Sequence, residues 1–282
     1  MRPRSVSGAA APRRGGGAIL LLLLTASGSA QEPPPVREQV VVTAHAAEVP
    51  YRTAARTVIV LTADDIRRLP SRSIADLLAY VPSIDVRSRG PAGIQSDFSI
   101  RGATYGQALI LVDGFRLNDM QSGHHNGDIP VPLAEIDRIE ILLGPGSSLY
   151  GADAFGGIVN VITRRGGERR ALSAALGEFG LAEAAAGIAG TPGGIEASAS
   201  LEASRSRGFE IGRDFRTLSL SSRATLRGRT RVWASHLAKD FGANGFYGPA
   251  LSTETTSQTL VVLDGRVPGR GGWRGEWQGG YR

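Results

Sequence analysis

The strongest constraint in this chain is an alternation that begins after about Gly166. "ASASLEASR" sets Ala197, Ala199, Leu201 and Ala203 against Ser198, Ser200, Glu202 and Ser204. "TLSLSSRATLR" sets Leu218, Leu220, Ala224 and Leu226 against Thr217, Ser219, Ser221, Arg223 and Thr225. "WRGEWQGGYR" puts Trp273, Trp277 and Tyr281 opposite Arg274, Glu276, Gln278 and Arg282. Side chains alternate faces only in an extended strand, so each stretch is a strand with one apolar face. Segments of about ten such residues, bearing aromatics, are the pattern of antiparallel strands that cross a membrane as a barrel. Tight turns at "GTPGG", "RGRT" and "PGRGG" alternate with the longer "RSRGFEIGRD" and "DFGANGFYGPALSTETT", as barrel turns and outer loops do. A soluble β-sandwich also alternates. The placing of all three tryptophans in this region, as an aromatic girdle, favours the membrane reading.

Residues 1–30 predict how such a chain reaches a membrane. Arg2, Arg4, Arg13 and Arg14 precede the apolar run "AILLLLLTA", and "SGSA" offers small residues for cleavage before Gln31. That is the pattern of a secretory signal peptide, and the run is shorter than the ~20 residues of a spanning helix. Without those four arginines the net charge falls from +6 to +2, which argues against nucleic acid as a partner. Cysteine is absent, so neither disulfide nor thiolate chemistry is available.

Residues 31–56 read as a linker, with Pro33, Pro34 and Pro35 as a semi-rigid spacer. Within it "EQVVVTA", Glu38 to Ala44, is a lone strand-like segment with no sequence neighbour to pair with. Residues 57–165 predict a compact α+β domain. "TVIVL" is a strand. Thr62 and Ser73 cap two short helices that stop at Pro70 and Pro82, and "DFSIRG" is a further strand. "ALILVDGFRL" is a hairpin on an Asp113-Gly114 turn; "PLAEI" is a short helical turn; "RIEILL" and "GGIVNVIT" are buried strands.

Together these segments resemble the TonB-dependent outer-membrane receptors. "FSIRG", "LILVDGFRLND" and "IDRIEILLGPGSSLYGADAFGGIVNVIT" are similar to successive signatures of that family's plug domain, and "DFGANGFYGP" to an early barrel strand and loop of its cobalamin-receptor-like branch. The resemblance implies an α+β plug followed by antiparallel transmembrane β-barrel strands. It implies that Glu38, Gln39, Val40, Val41, Val42, Thr43 and Ala44 are the box gripped by a TonB-like energy transducer, by strand addition. It also implies outer-membrane lipid and a small-molecule ligand (siderophore, cobalamin or similar) as partners, with no cofactor, resident metal or catalysis. The family often has a basic residue where Leu143 stands, which weakens one expected plug–barrel contact. Family barrels with a plugged lumen have 22 strands, and about seven strand-like segments follow Gly166. An open sheet edge in lipid is costly, so the chain is expected to be a fragment: the plug plus the first third of a barrel.

Candidate ligand groups sit in loops expected at the outer face. Gln121, His124, His125 and Asn126 lie in or beside "SGHHNGD"; Arg87, Arg89 and Gln95 lie in or beside "SRGPAGIQSD"; Phe246 and Tyr247 lie in "GANGFYGP". A solvated loop, a surface turn and loop packing are the plainer readings of the three. Arg101 and Glu140 are candidates for holding the plug against barrel-wall charges, or form a surface pair. "GPGSSLYG" lacks a phosphate-loop lysine, and Ser147 and Ser148 lack a nucleophile's G-x-S-x-G frame.

Overall fold

The computed structural model describes residues 41–42, 49–50, 57–118, 124–146, 150–226, 229–268 and 274–282. The expected signal peptide, Glu38, Gln39, Val40, Thr43, Ala44, Gln121, Ser147, Ser148 and Trp273 lie outside the described residues. Val41–Val42 (β1) pairs antiparallel with Val49–Pro50 (β2). This corrects the expectation of a lone strand: the proline- and valine-bearing segment just downstream folds back and supplies a neighbour.

The first layer is the α+β unit. Strand β3 (Val58–Thr62) runs into helix α1 (Ala63–Arg68) through a capping box. Thr62 Oγ1 accepts from the Asp65 amide at 3.3 Å, and the Asp65 carboxylate accepts from the Thr62 amide at 2.9 Å. Helix α2 (Ile74–Ala79) starts on Ser73, whose hydroxyl takes the Asp76 amide at 3.1 Å. One strand escaped the sequence reading. β4 (Ile84–Ser88) pairs antiparallel with β5 (Ser96–Ile100), leaving only residues 89–95 as loop. The main sheet runs β3-β8-β9-β6-β7, with β6 (Ala108–Val112), β7 (Phe115–Arg116), β8 (Ile136–Leu143) and β9 (Gly157–Thr163). Strands β6 and β9 are parallel and fully buried, hence the apolar run "ALILV" and the largely apolar "GIVNVIT", which only Asn160 and the terminal Thr163 interrupt. Asp113 and Gly114 join β6 to β7 with φ of 47° and 82°, the left-handed pair of a type I′ turn.

The second layer is a wall of seven antiparallel strands in chain order. They are β10 (Arg169–Leu176), β11 (Ala182–Gly190), β12 (Glu196–Ser206), β13 (Phe215–Leu226), β14 (Thr230–Gly242), β15 (Thr253–Pro268) and β16 (Arg274–Tyr281). The sheet is open, its end strands β10 and β16 having one partner each. Its alternation is as expected. Ser200, Ser219, Ser221, Arg223, Arg231, Ser235 and Lys239 are buried against the plug, while Leu201, Leu218, Leu220, Val232, Val261 and Leu263 are exposed on the other face.

The tryptophans do not form one girdle. Trp277 is 41% exposed, but Trp233 is fully buried on the inner face, its indole N–H donating to Ser221 Oγ at 2.9 Å. The cause is register: Trp233 shares the inward parity of Arg231 and Ser235. With Leu260 and Val262 it enters the same buried cluster as Leu77, Phe98, Ile110, Ile139 and Val161 of the first layer.

Candidate functional site

The α+β unit is fastened to the wall at two levels. At the lower one, the buried Asp113 carboxylate accepts from the Thr163 amide at 3.0 Å and from Arg231 Nη1 at 2.6 Å. The same guanidinium reaches Asp264 on β15 at 2.6 Å. Gln278 on β16 donates to the Asp113 carbonyl at 3.1 Å. Nearby, Glu135 pairs with Arg169 on β10, and Arg223 donates to the Arg164 carbonyl.

At the upper level, Lys239 on β14 places its ammonium 2.5 Å from Asp128 Oδ1 and 2.6 Å from the Gly93 carbonyl. Burial alone would raise the Asp128 carboxyl, but Lys239 and His125 outweigh it and hold it at about 2. Gly127 permits this loop to lie flat on β5: a Cβ there would stand 2.5 Å from the Ser96 carbonyl oxygen. His125 lies between Asp128, 3.6 Å from Nδ1, and Glu254 of β15, 3.4 Å from Nε2. Tyr247, in the loop between β14 and β15, donates to Glu254 at 2.9 Å and takes the Gln95 amide; Arg89 lies over its ring, 5.3 Å from the centroid.

The upper face gathers most of the residues proposed from sequence, but not in equal roles. Arg87 stands outward on β4, its side chain 81% exposed and 3.1 Å from Asp85. His124 stacks on Tyr105 with centroids 4.7 Å apart and has Nδ1 3.4 Å from Asp97. Tyr247 is exposed. Others turn inward. Gln95 and Asn126 are buried, Asn126 donating to the Tyr105 carbonyl at 3.5 Å. Phe246 corrects the expectation of an exposed aromatic: it packs with Ile94, Phe215, Phe241 and Ala243, under the Arg213 guanidinium at 4.3 Å. Its carbonyl takes the Arg89 side chain.

The charges expected to join the two layers also prove different. Glu140 is fully buried and pairs with Arg138 on its own strand, 2.8 Å away. Arg101 is exposed, with Nη1 3.7 Å from where a Cβ on Gly144 would stand. The ion pairs that join the two layers include Asp113–Arg231, Asp128–Lys239, Glu135–Arg169 and Arg72–Glu183. One signal for them stood in the sequence: Lys239 is the chain's only lysine, on the inward parity of its strand. Asp113 was legible only as a turn residue, because its carboxylate's partner is 118 residues away.

A compact unit seated by ion pairs on the polar inner face of an antiparallel wall has the arrangement of a plug against a barrel-type wall. Residues 50–158 match the family model described as TonB-dependent Receptor Plug Domain. Over residues 50–158 the chain is thus similar to that family's plug domain, and with the strands that follow it shares the fold of solved outer-membrane receptors. Similar solved structures include Pseudomonas aeruginosa FpvA bound to heterologous pyoverdines, at 16% identity and TM-score 0.68, over 84% of this chain and 35% of that one. The alcaligin outer-membrane receptor FauA from Bordetella pertussis matches at 21% identity and TM-score 0.62, over 82% and 39%. The ferric yersiniabactin uptake receptor FyuA from Yersinia pestis matches at 17% identity and TM-score 0.58, over 76% and 39%. The chain therefore spans 35–39% of the length of these structures.

Proposed function

We propose that this chain forms the plug and first seven wall strands of an outer-membrane receptor that imports a scarce, bulky ligand of the siderophore or cobalamin kind. In this reading residues 1–30 direct export and are removed, 31–56 tether the plug, 57–165 are the plug and 166–282 begin the barrel. A TonB-like transducer grips Glu38 to Ala44 and pulls, and the plug rearranges. Arg87, His124 and Tyr247 present cationic and aromatic groups to the ligand at the upper face. No bond of the ligand is made or broken.

The observation that carries the reading is the plug's seat. Buried carboxylates on the plug meet buried cations on the wall's inner face, while the wall's other face is apolar. A soluble plug-like module would have no use for that second face. The test is uptake of ferric siderophores by cells producing the intact receptor, with and without the transducer. Uptake indifferent to the transducer, or receptor found outside the outer-membrane fraction, would overturn the reading.

A further inference from the structure

We propose that His125 is a proton-dependent positioning residue, one that ties the plug's upper loop to the barrel's outer loop when it is charged and frees it when it is neutral. The proposal rests on the receptor reading for its setting and adds a control of the upper face to it.

The geometry is that of a bridge. His125 belongs to the plug, yet Nε2 faces Glu254 of β15 at 3.4 Å while Nδ1 faces Asp128 of its own loop at 3.6 Å, beyond hydrogen-bond length. A neutral imidazole donates from one nitrogen only, so it cannot serve two carboxylates; the imidazolium can. The backbone there is itself unusual: His125 has φ of 63°, the left-handed region that few non-glycine residues occupy. Its Nδ1 is buried with no hydrogen-bond partner.

The other charges around it fit one arrangement. On β14, Lys239 repels the imidazolium but is itself engaged by Asp128 and the Gly93 carbonyl. On β15, Glu254 is shared with Tyr247 of the outer loop. On the plug, Gln95 and Arg89 hold that same tyrosine. The neighbouring His124 faces away, toward Asp97 and Tyr105. Glu254 is thus the joint at which the plug's histidine meets the outer loop's tyrosine.

The sign follows from the environment. Asp128 raises the His125 pKa, against desolvation and Lys239, and Glu254 raises it further. A group whose pKa is raised by closing favours the closed form fully below its ordinary value of 6.5. That contribution disappears as pH rises through the raised value, so acid closes the upper face and alkali loosens it.

The experiment needs no ligand, so its outcome stands apart from that of the import reading. Spin labels at Arg87→Cys and Gly248→Cys report the distance from plug to outer loop in the intact receptor in detergent. Both sites are exposed, and a Cβ at Gly248 meets nothing within 4 Å. A short-distance population is expected at pH 5.5, with a longer one replacing it by pH 9. His125→Gln should show the longer population at both pH values, and Glu254→Gln should lose the transition. His124→Gln should keep it. A distance unchanged across this range in the unmodified receptor, or a transition that survives in His125→Gln, would overturn the proposal.

Discussion

Arg231 on β14 sits between Asp113 of the plug and Asp264 of β15, 2.6 Å from each. Arg231 and Asp113 are both buried, their side chains 7% and 1% exposed. The pair fixes the Asp113-Gly114 turn of the plug to β14, the fifth strand of the seven-stranded wall.

Removing one partner of a buried pair leaves the other charge without compensation. Asp113→Asn should therefore cost about 3 kcal/mol in plug docking. Protease cutting of the plug in the intact receptor measures this. Asp113→Asn combined with Arg231→Met should recover part of the loss, and additive losses would mean that the two do not act as a pair.

The upper fastening predicts an acid limit. With Asp128 held at about 2 against a free value of 3.8, its pairing with Lys239 contributes fully above about pH 4 and is lost as pH falls toward 2. The difference corresponds to about 2 kcal/mol. Thermal unfolding between pH 6 and 2 should show it as a drop that Asp128→Asn abolishes, the variant being less stable at pH 6 and nearly equal at pH 2.

Trp233 should matter to the plug although it belongs to the wall. Trp233→Ala opens a large cavity in the shared core, at about 3–5 kcal/mol. Trp233→Phe keeps most of the packing and loses the bond to Ser221, at about 1 kcal/mol. Hydrogen exchange at the amides of β6 and β9 is the readout. Exchange unchanged in Trp233→Ala would show that the wall does not support the plug's core.

Val41→Pro removes a backbone donor and fixes φ in the segment proposed for the transducer. Energised uptake should fall to the level of cells lacking the transducer, while ferric-siderophore binding at the cell surface persists. Uptake at the unmodified rate would exclude strand addition at Val41.

How far the sequence carried can be read from particular residues. Thr62 and Ser73 were legible as caps because a cap is a bond across three residues, and Asp113-Gly114 as a turn because two left-handed φ values restrict residue choice. The wall was legible because lipid-type and plug-type surroundings impose a period of two. Strand β4 was missed: "IDVRS" has only one fully buried residue, Ile84, so its pattern is weak. Trp233 was given to a girdle because an aromatic on an inward face and one on an outward face look alike until the register is fixed. The roles of Asp128, Glu254 and Lys239 arise from contacts more than a hundred residues apart, and no local pattern encodes such a meeting.

The sharing of the core by plug and wall has a mechanical consequence. Trp233, Leu260 and Val262 are the lid of a box whose other sides are the plug's own helices and strands. A stopper built this way is not a finished object resting in a tube. In the receptor proposed above, drawing the plug along the wall would take it away from its own lid and let water into the core early in the movement. Resistance to a pull would then begin in the plug's interior, and the motion that opened a path would also start to unfold the plug.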